Sequence, residues 1–359
     1  MTANNNTRPA VSVVIPCRNE SDHIENCVRS ILGQEPPPGG FEIIVADGMS
    51  DDGTREILER IARDHSRLKI IDNPDRITPC GMNAGIRAGR GQYIAIMGAH
   101  HRYAPDYLRS SLEVLQETGA DNVGGSLIFV GESRLQKAIA MAHHSPFAVG
   151  GARWHNVNYE GPVDTVFGGV YRREVFDRIG LLDEELARNQ DDEFNLRLTR
   201  AGGKIWQSPR IKSWSMPRAS LSALFQQYVQ YGYWKVRVIQ KHKLPASMRH
   251  LVPGCFVLLL GILSLASLLW SSAAWGLLAL VTTYGFCILT ASILTAGRNG
   301  LAFFLLLPMV FTTYHFGYGY GFLSGIWDFV ILRRGPAGKY ARLTRTSAGD
   351  LSPNAAARR

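Results

Sequence analysis

The chain has 359 residues, a formal net charge of +9 at pH 7 and 46% hydrophobic residues. Its five cysteines are scattered without a CxxC spacing, which argues against a disulfide framework or a zinc site and favours a reducing compartment. The basic residues gather beside long apolar runs, so the charge predicts contact with a membrane surface and not with nucleic acid.

The first hundred residues alternate between short apolar runs and helix-periodic segments. We predict strands at 11–15, 41–47, 68–72 and 93–97, with helices within 23–34, 55–65 and 81–91 between them. This order predicts an α/β fold, with a mostly parallel sheet covered by helices on both faces. Right-handed crossovers then place the strand ends at Pro16, Asp47 and Gly98 along one rim, where open α/β sheets bind ligands.

The next hundred residues are less regular. A strand is predicted over 121–130, a helix near 135–142, a loop over 154–163 and a further helix from 191. That helix opens with Asp191, Asp192 and Glu193, of which Glu193 can form a surface i,i+4 pair with Arg197 and one acid remains available as a general base.

Two other local patterns allow two interpretations each. Asp47 ends a strand and is placed to bind a ribose or a base, whereas Asp51 and Asp52 can also cap the following helix. Gly168 and Gly169 indicate either a close approach of the backbone to a ligand or a β-bulge.

The C-terminal third is apolar. Residues 251–297 contain no charged side chain, which predicts two membrane spans, 251–270 and 275–296, with a turn at Ser271-Ser272. A third span, or a re-entrant pair broken at Pro308 and at the glycines of "HFGYGYGFLSG", is predicted within 301–332. The alternative is a pair of buried helices in a globular core.

The sequence therefore divides into five parts. A polar tail over 1–10 without a secretion signal precedes a domain over 11–215. Residues 216–249 form an amphipathic basic segment that lies either in the membrane interface or packs as an ordinary helix, and 250–332 form the membrane region. A basic tail over 333–359 follows, and its charge predicts that tail and domain both face the cytosol.

In chain order the motifs resemble one family. The stretches "VSVVIPCRNE", "FEIIVADGMSDDGT", "GMNAGIRAGRGQYIAIMGAH", "FGGVYRREVF" and "NQDDEFNLRL" resemble family 2 glycosyltransferases of the GT-A fold, over roughly residues 11–214. Within that group, "GAHHRY" and "RNQDDEFNLRL" look most like bacterial enzymes that build succinoglycan-type exopolysaccharides on a lipid carrier.

The resemblance implies a role for each matched position. Asp191 is the expected catalytic base, and Gly168 and Gly169 match the acceptor-side loop. The expected nucleotide-sugar site comprises Pro16, Arg18, Glu20, Asp47, Asp51, Asn83 and Gly85.

The metal motif departs from the family pattern. Gly98-Ala99-His100 stands where the family has Asp-x-Asp or Asp-x-His, and Gln190 stands where it has glutamate. We expect a weakened cation site at His100 that prefers Mn²⁺ to Mg²⁺, or catalysis by basic side chains without a metal. We also expect Gly98→Asp to tighten the metal, and we assign no role to His101.

The expected enzyme is a multi-pass protein of the bacterial plasma membrane with a cytosolic catalytic domain. It would move a sugar from a UDP- or GDP-linked donor to a polyprenyl-linked saccharide, with inversion, in exopolysaccharide synthesis, alongside other assembly proteins. One alternative is transfer to polyprenyl phosphate itself. The other, motivated by Gly98 and Gln190, is a degenerate transferase that binds glycan or serves as an assembly scaffold.

Overall fold

The computed structural model describes residues 8–245, 247–335 and 340. Among these, 8–128 and 156–215 form one compact unit, the sheet unit, and 129–155 with the residues from 216 onward form a second, the helical unit. Residues 1–7 of the predicted N-terminal tail lie outside the described residues, as do Lys339, Arg342 and Arg345 of the predicted basic tail.

The sheet unit contains nearly all the strands, and apolar, β-branched sequence forms the most buried of them. The strands are β1 (Val11–Cys17), β2 (Phe41–Asp47), β3 (Leu68–Asp72), β4 (Tyr93–Ile96), β5 (Arg102–Tyr103), β6 (Asn122–Gly125), β7 (Leu127–Phe129, at the boundary of the units), β8 (Gly161–Pro162), β9 (Phe167–Arg172), β10 (Ile205–Gln207) and β11 (Ser213–Ser215). Its helices are α1 (Ile24–Leu32), α2 (Thr54–Asp64), α3 (Thr78–Ala88), α4 (Tyr107–Thr118), α7 (Glu174–Ile179) and α8 (Gln190–Arg200).

Eight strands form one sheet in the order β3-β2-β1-β4-β9-β6-β10-β8. Strands β1, β2, β3 and β4 are parallel, whereas β9 runs antiparallel to both β4 and β6. The predicted mostly parallel sheet is thus confirmed, with an antiparallel insertion. Successive strands step outward from β1 to β3 and then restart on the other side of β1 at β4, so the topological switch point lies between β1 and β4.

The register places the carboxyl ends of these strands at one edge. Cys17 pairs with Asp47, and Val14 pairs with Ile96, so the loops after β1, β2 and β4 emerge together. The predicted rim is confirmed. The predicted strand over 121–130 is wrong in one respect, because it is two strands, β6 and β7, separated at Ser126.

The helical unit contains α5 (Arg134–His143), α6 (Pro146–Val149), α9 (Leu221–His242), α10 (Val252–Ala266), α11 (Ser271–Asn299) and α12 (Leu307–Gly325). Helix α12 continues into a π-helical turn, Ile326–Ile331. Pro308 occupies its first turn and the glycines lie inside it, so the expected break into a re-entrant pair is wrong: the segment is one continuous helix.

Helix α9 packs closely against α12 through glycines. A Cβ added to Gly321 would lie 2.0 Å from the carbonyl oxygen of Val229, and one added to Gly232 would lie 2.1 Å from that of Tyr318. Lys235 is also buried. Since residues on several faces of α9 are covered by protein, the structure supports a packing role for this predicted interfacial helix.

Two helices have the length and composition of membrane spans. They are Met248–Ala266, which includes α10, and Ser271–Asn299, which is α11, and little of either is buried within the protein. The turn between them ends at Trp270, just before the predicted Ser271-Ser272. Leu268, Leu269 and Trp275 are among the large apolar side chains left exposed. Helices of this length that leave large apolar side chains exposed suit a membrane environment.

Candidate active site

Hydrogen bonds lock the loops after β1 and β2 to each other. The backbone N–H of Asn19 donates to Ser50 Oγ at 3.0 Å, and that of Glu20 donates to Thr54 Oγ1 at 2.8 Å. Asn19 and Asp51 exchange two hydrogen bonds, from the side-chain Nδ2 of Asn19 to Asp51 Oδ1 at 2.8 Å and from the backbone N–H of Asp51 to Asn19 Oδ1 at 3.1 Å. The loop that carries Glu20 is therefore held by the loop between β2 and α2 as well as by β1.

The acids after β2 have distinct partners. Asp47 is buried and accepts a 2.6 Å hydrogen bond from the Ser50 hydroxyl, with the Arg55 guanidinium at 3.5 Å. Asp52 accepts from the N–H of Thr54, the first residue of α2, which confirms the predicted capping role for this acid. Burial raises the pKa of Asp52, but hydrogen bonds from Thr54 and Ser21 outweigh it and leave this pKa lowered.

Arg18 lies beside the loops that follow β1 and β2. A Cβ added to Gly48 would lie 3.1 Å from Arg18 Cβ, so the arginine packs over the turn that follows β2. Its Nε is buried and, among the residues that the structure describes, has no hydrogen-bond acceptor. Buried donors are normally paired, so this atom indicates a ligand acceptor at the rim, beside half-buried Pro16.

Glu20 and His100 meet at the switch point of the sheet. Glu20 follows β1 and His100 follows β4, and the His100 Nδ1 lies 3.1 Å from Glu20 Oε1. The His100 side chain is 27% exposed and that of Glu20 is 13% exposed. This pair thus bridges the two loops between which open α/β sheets bind their ligands.

His101 fills the space beside Gly98. A Cβ added to Gly98 would lie 2.3 Å from His101 Cδ2 and 2.6 Å from His101 Nε2. The His101 ring is 4.2 Å from that of His100 and packs edge-on against Phe167 at 4.6 Å, and His101 is only 8% exposed. His101, for which we predicted no role, therefore occupies the volume that a side chain at position 98 would take.

The rim fits a cation only in part. Among the described residues no group of three or more histidine, cysteine, aspartate or glutamate side chains is arranged to hold a metal ion. However, His100 with one ring nitrogen on a carboxylate is the usual arrangement of a metal-binding histidine. One such ligand suits a cation that takes its remaining ligands from a substrate diphosphate and water.

Asn83 and Gly85 serve α3 packing. The Asn83 amide donates to the carbonyl of Leu182 and to Glu184 Oε1, each at 2.8 Å, and accepts from the Leu182 N–H at 3.0 Å. A Cβ on Gly85 would lie 2.3 Å from Val14 Cγ1. The contacts that the structure gives to Asn83 and Gly85 are with other residues of the protein. Their predicted contacts with a nucleotide remain predictions.

Gly168 and Gly169 form a bulge. Val123 pairs with Val170 and Gly125 pairs with Phe167, so two residues of β9, Gly168 and Gly169, oppose the single residue Gly124 of β6. Both glycines have positive φ, +72° and +82°, which side-chain-bearing residues rarely adopt. The bulge interpretation is confirmed, and the acceptor-side role remains a prediction.

The three acids of α8 differ in exposure. Asp191 is exposed in the first turn, Asp192 is half-buried and Glu193 is buried. Burial, together with the charge of Asp191, raises the pKa of Tyr171 on β9. The Oε1 atom of Gln190 is buried and has no donor among the described residues.

The predicted surface pair between Glu193 and Arg197 is wrong in one respect. The pair exists, with Nε to Oε1 at 2.7 Å and Nη2 to Oε2 at 2.9 Å, but it is buried and not on the surface. Arg197 also donates to the carbonyls of Ile179 and Leu181. Glu193 therefore stabilises the joint between α7 and α8.

Comparison with known proteins agrees with this architecture. The model of the family described as "Glycosyl transferase family 2" matches residues 12–180. "Succinoglycan biosynthesis protein ExoA" of Rhizobium meliloti (strain 1021) is 34% identical over 70% of this chain and 77% of its own length. The "Dolichyl N-acetyl-alpha-D-glucosaminyl phosphate 3-beta-D-2,3-diacetamido-2,3-dideoxy-beta-D-glucuronosyltransferase" of Methanococcus voltae is 28% identical over 88% of this chain and 97% of its own length.

A solved structure shares the fold. The mannosyltransferase PcManGT from Pyrobaculum calidifontis, solved with GDP-Man and Mn2+, superposes with a TM-score of 0.57 at 19% identity, covering 90% of this chain and 88% of that one. The fold is therefore GT-A-like, and the chain is a glycosyltransferase that belongs to glycosyl transferase family 2.

Proposed function

We propose that this enzyme transfers a sugar from a nucleoside diphosphate sugar to a lipid-linked saccharide, with inversion at the anomeric carbon, using Asp191 as the base. The observation that carries the proposal is the exposure of Asp191. Of the three successive acids Asp191 is the most exposed, while Glu193 is buried in an ion pair. A general base must reach the proton it removes.

The donor would bind at the rim formed by the ends of β1, β2 and β4. Arg18 offers a buried donor atom without an acceptor among the described residues, and Asp47 holds the adjoining turn through Ser50. Asp51 keeps the Asn19 loop in place. A nucleotide-binding pocket needs such pre-positioned polar groups, because they fix the orientation of the ligand.

The chemistry requires one carboxylate. Asp191 takes the proton of the acceptor hydroxyl as its oxygen bonds to the anomeric carbon, and the bond to the nucleoside diphosphate breaks on the opposite face. A divalent cation, when bound, neutralises charge on the leaving diphosphate. His100 is the residue that would hold it, with Mn²⁺ suited to an imidazole ligand.

The acceptor is inferred from the relatives and from the apolar helices. The names of two relatives refer to succinoglycan biosynthesis and to a dolichyl phosphate-linked sugar. Exposed apolar helices would keep the enzyme at a membrane where such acceptors reside. We place it in a bacterial plasma membrane as a multi-pass protein with the sheet unit in the cytosol.

Asp191→Asn tests the proposal, with Asp192→Asn as its matched control. Release of UDP or GDP from candidate donors is measured in membranes that contain lipid-linked saccharides. Asp191→Asn should lower turnover by about two to four orders of magnitude, the usual worth of a positioned base, without changing nucleotide binding. Asp192→Asn should have a small effect. Near-normal turnover of Asp191→Asn would contradict the assignment.

A further inference from the structure

We propose that Glu20 and His101 are positioning residues that prepare the imidazole of His100 for a divalent cation carried by the nucleoside diphosphate. The inference rests on the proposed function and concerns the donor side of the same site. Neither residue contacts the reacting atoms in this proposal. Their task is to set the tautomer and the orientation of one ring.

Glu20 sets the tautomer. An ionised carboxylate only accepts hydrogen bonds, so at 3.1 Å the Nδ1–H of His100 must donate to Glu20 Oε1. A neutral imidazole that donates through Nδ1 carries its lone pair on Nε2, the atom that can bind a metal. Hydrogen bonding to a carboxylate also makes that lone pair more basic.

The Glu20 backbone is fixed independently of His100. Its N–H donates to Thr54 Oγ1 at 2.8 Å, and the neighbouring Ser21 N–H donates to Asp52 Oδ2 at 3.0 Å. Because α2 and the loop before it hold the backbone that carries this carboxylate, only the side-chain torsions of Glu20 need to be ordered when it orients the histidine. This is the preorganisation that a site with few protein ligands requires.

His101 supports the ring by filling space. Its imidazole occupies the volume beside Gly98 and lies between the ring of His100 and that of Phe167, at 4.2 Å and 4.6 Å. At 8% exposure it is much less accessible than the His100 side chain, at 27%. The less accessible ring is suited to support and the more accessible one to contact with a ligand.

The test is binding of Mn²⁺ to the purified full-length protein, measured by electron paramagnetic resonance with UDP or GDP present. Glu20→Gln keeps the shape of the side chain but removes its charge, and it should weaken Mn²⁺ binding by about 10- to 100-fold, as the loss of an orienting carboxylate does elsewhere. Glu25→Gln is the matched control. Glu25 lies on α1 and pairs with surface arginines, so this variant should bind Mn²⁺ as the wild type does.

Two variants separate support from ligation at position 101. His101→Phe retains a ring without nitrogen atoms and should keep the Mn²⁺ affinity, whereas His101→Ala should reduce it. A loss in His101→Phe as large as that in His100→Ala would overturn the supporting role, because it would make His101 a ligand.

Nucleotide binding in EDTA distinguishes failure of the proposed function from failure of this inference. If the wild type binds neither UDP nor GDP under any condition, the proposed function fails. If it binds nucleotide and Mn²⁺ but Glu20→Gln leaves the Mn²⁺ affinity unchanged, only this inference is overturned. An unchanged melting temperature of Glu20→Gln, together with a weaker Mn²⁺ signal, supports it and rules out misfolding as the cause.

Discussion

The substitution Gly98→Asp would restore the first carboxylate of the family motif. By itself, however, we expect it to destabilise the protein and not to improve metal binding. The backbone at Gly98 does not have the positive φ that excludes side chains. The obstacle is the ring of His101, since the new Cβ would lie 2.3 Å from its Cδ2 atom. The ring must leave its edge-on contact with Phe167 to make room.

The cost follows from this overlap. Inserting atoms into a filled site costs about 1–3 kcal/mol. In a domain of this size, 1 kcal/mol lowers the melting temperature by about 2–4 °C. We therefore expect a drop of several degrees for Gly98→Asp, with Mn²⁺ bound more weakly because His100 loses its neighbouring ring.

The double variant Gly98→Asp/His101→Ala is the decisive comparison. Removing the His101 ring opens the space for the carboxylate, so the double variant should melt higher than Gly98→Asp and should bind Mn²⁺ or Mg²⁺ more tightly than His101→Ala. Melting is followed in detergent and metal affinity by titration. If Gly98→Asp alone is as stable as the wild type and binds Mg²⁺ tightly, His101 does not occupy the site as described.

Three further predictions concern stability. Glu193→Gln should lower the free energy of unfolding by about 2 kcal/mol, since Arg197 loses its ionised partner, while turnover per folded molecule is retained; a loss of turnover without a loss of stability would contradict this. Burial lowers the pKa of His155 to about 3. Below pH 6.5 the unfolded chain therefore binds a proton at His155 that the folded protein does not. The free energy of unfolding should be about 2 kcal/mol lower at pH 5 than at pH 7. His155→Phe should reduce this difference, as measured by thermal melts at the two pH values. Gly321→Ala should be destabilised by about 1–3 kcal/mol, because its Cβ would meet a carbonyl of α9, whereas Gly285→Ala, with open space around it, should melt as the wild type does.

Local pattern was enough to predict the first four strands and the rim, whereas the family was inferred from the resemblance of the motifs in chain order. The apolar runs at β2 and β3 match their predicted bounds because a buried strand needs an unbroken stretch of β-branched and apolar residues. The order of strands and helices then implies the parallel sheet, since right-handed crossovers leave few other topologies. The two long apolar helices follow from the absence of charge alone.

The partners of individual side chains required the tertiary structure. Glu193 has the spacing of a surface pair, but it is buried, and its partner Arg197 also donates to the carbonyls of Ile179 and Leu181 at the end of α7. The glycines of α12 suggest a break when taken alone, although they are the surface against which α9 packs. His101 matches no motif position, and its role arises because a glycine three residues earlier leaves a space that the ring fills. Sequence periodicity records which face of an element is apolar, whereas contacts between distant segments exist only once the chain has folded.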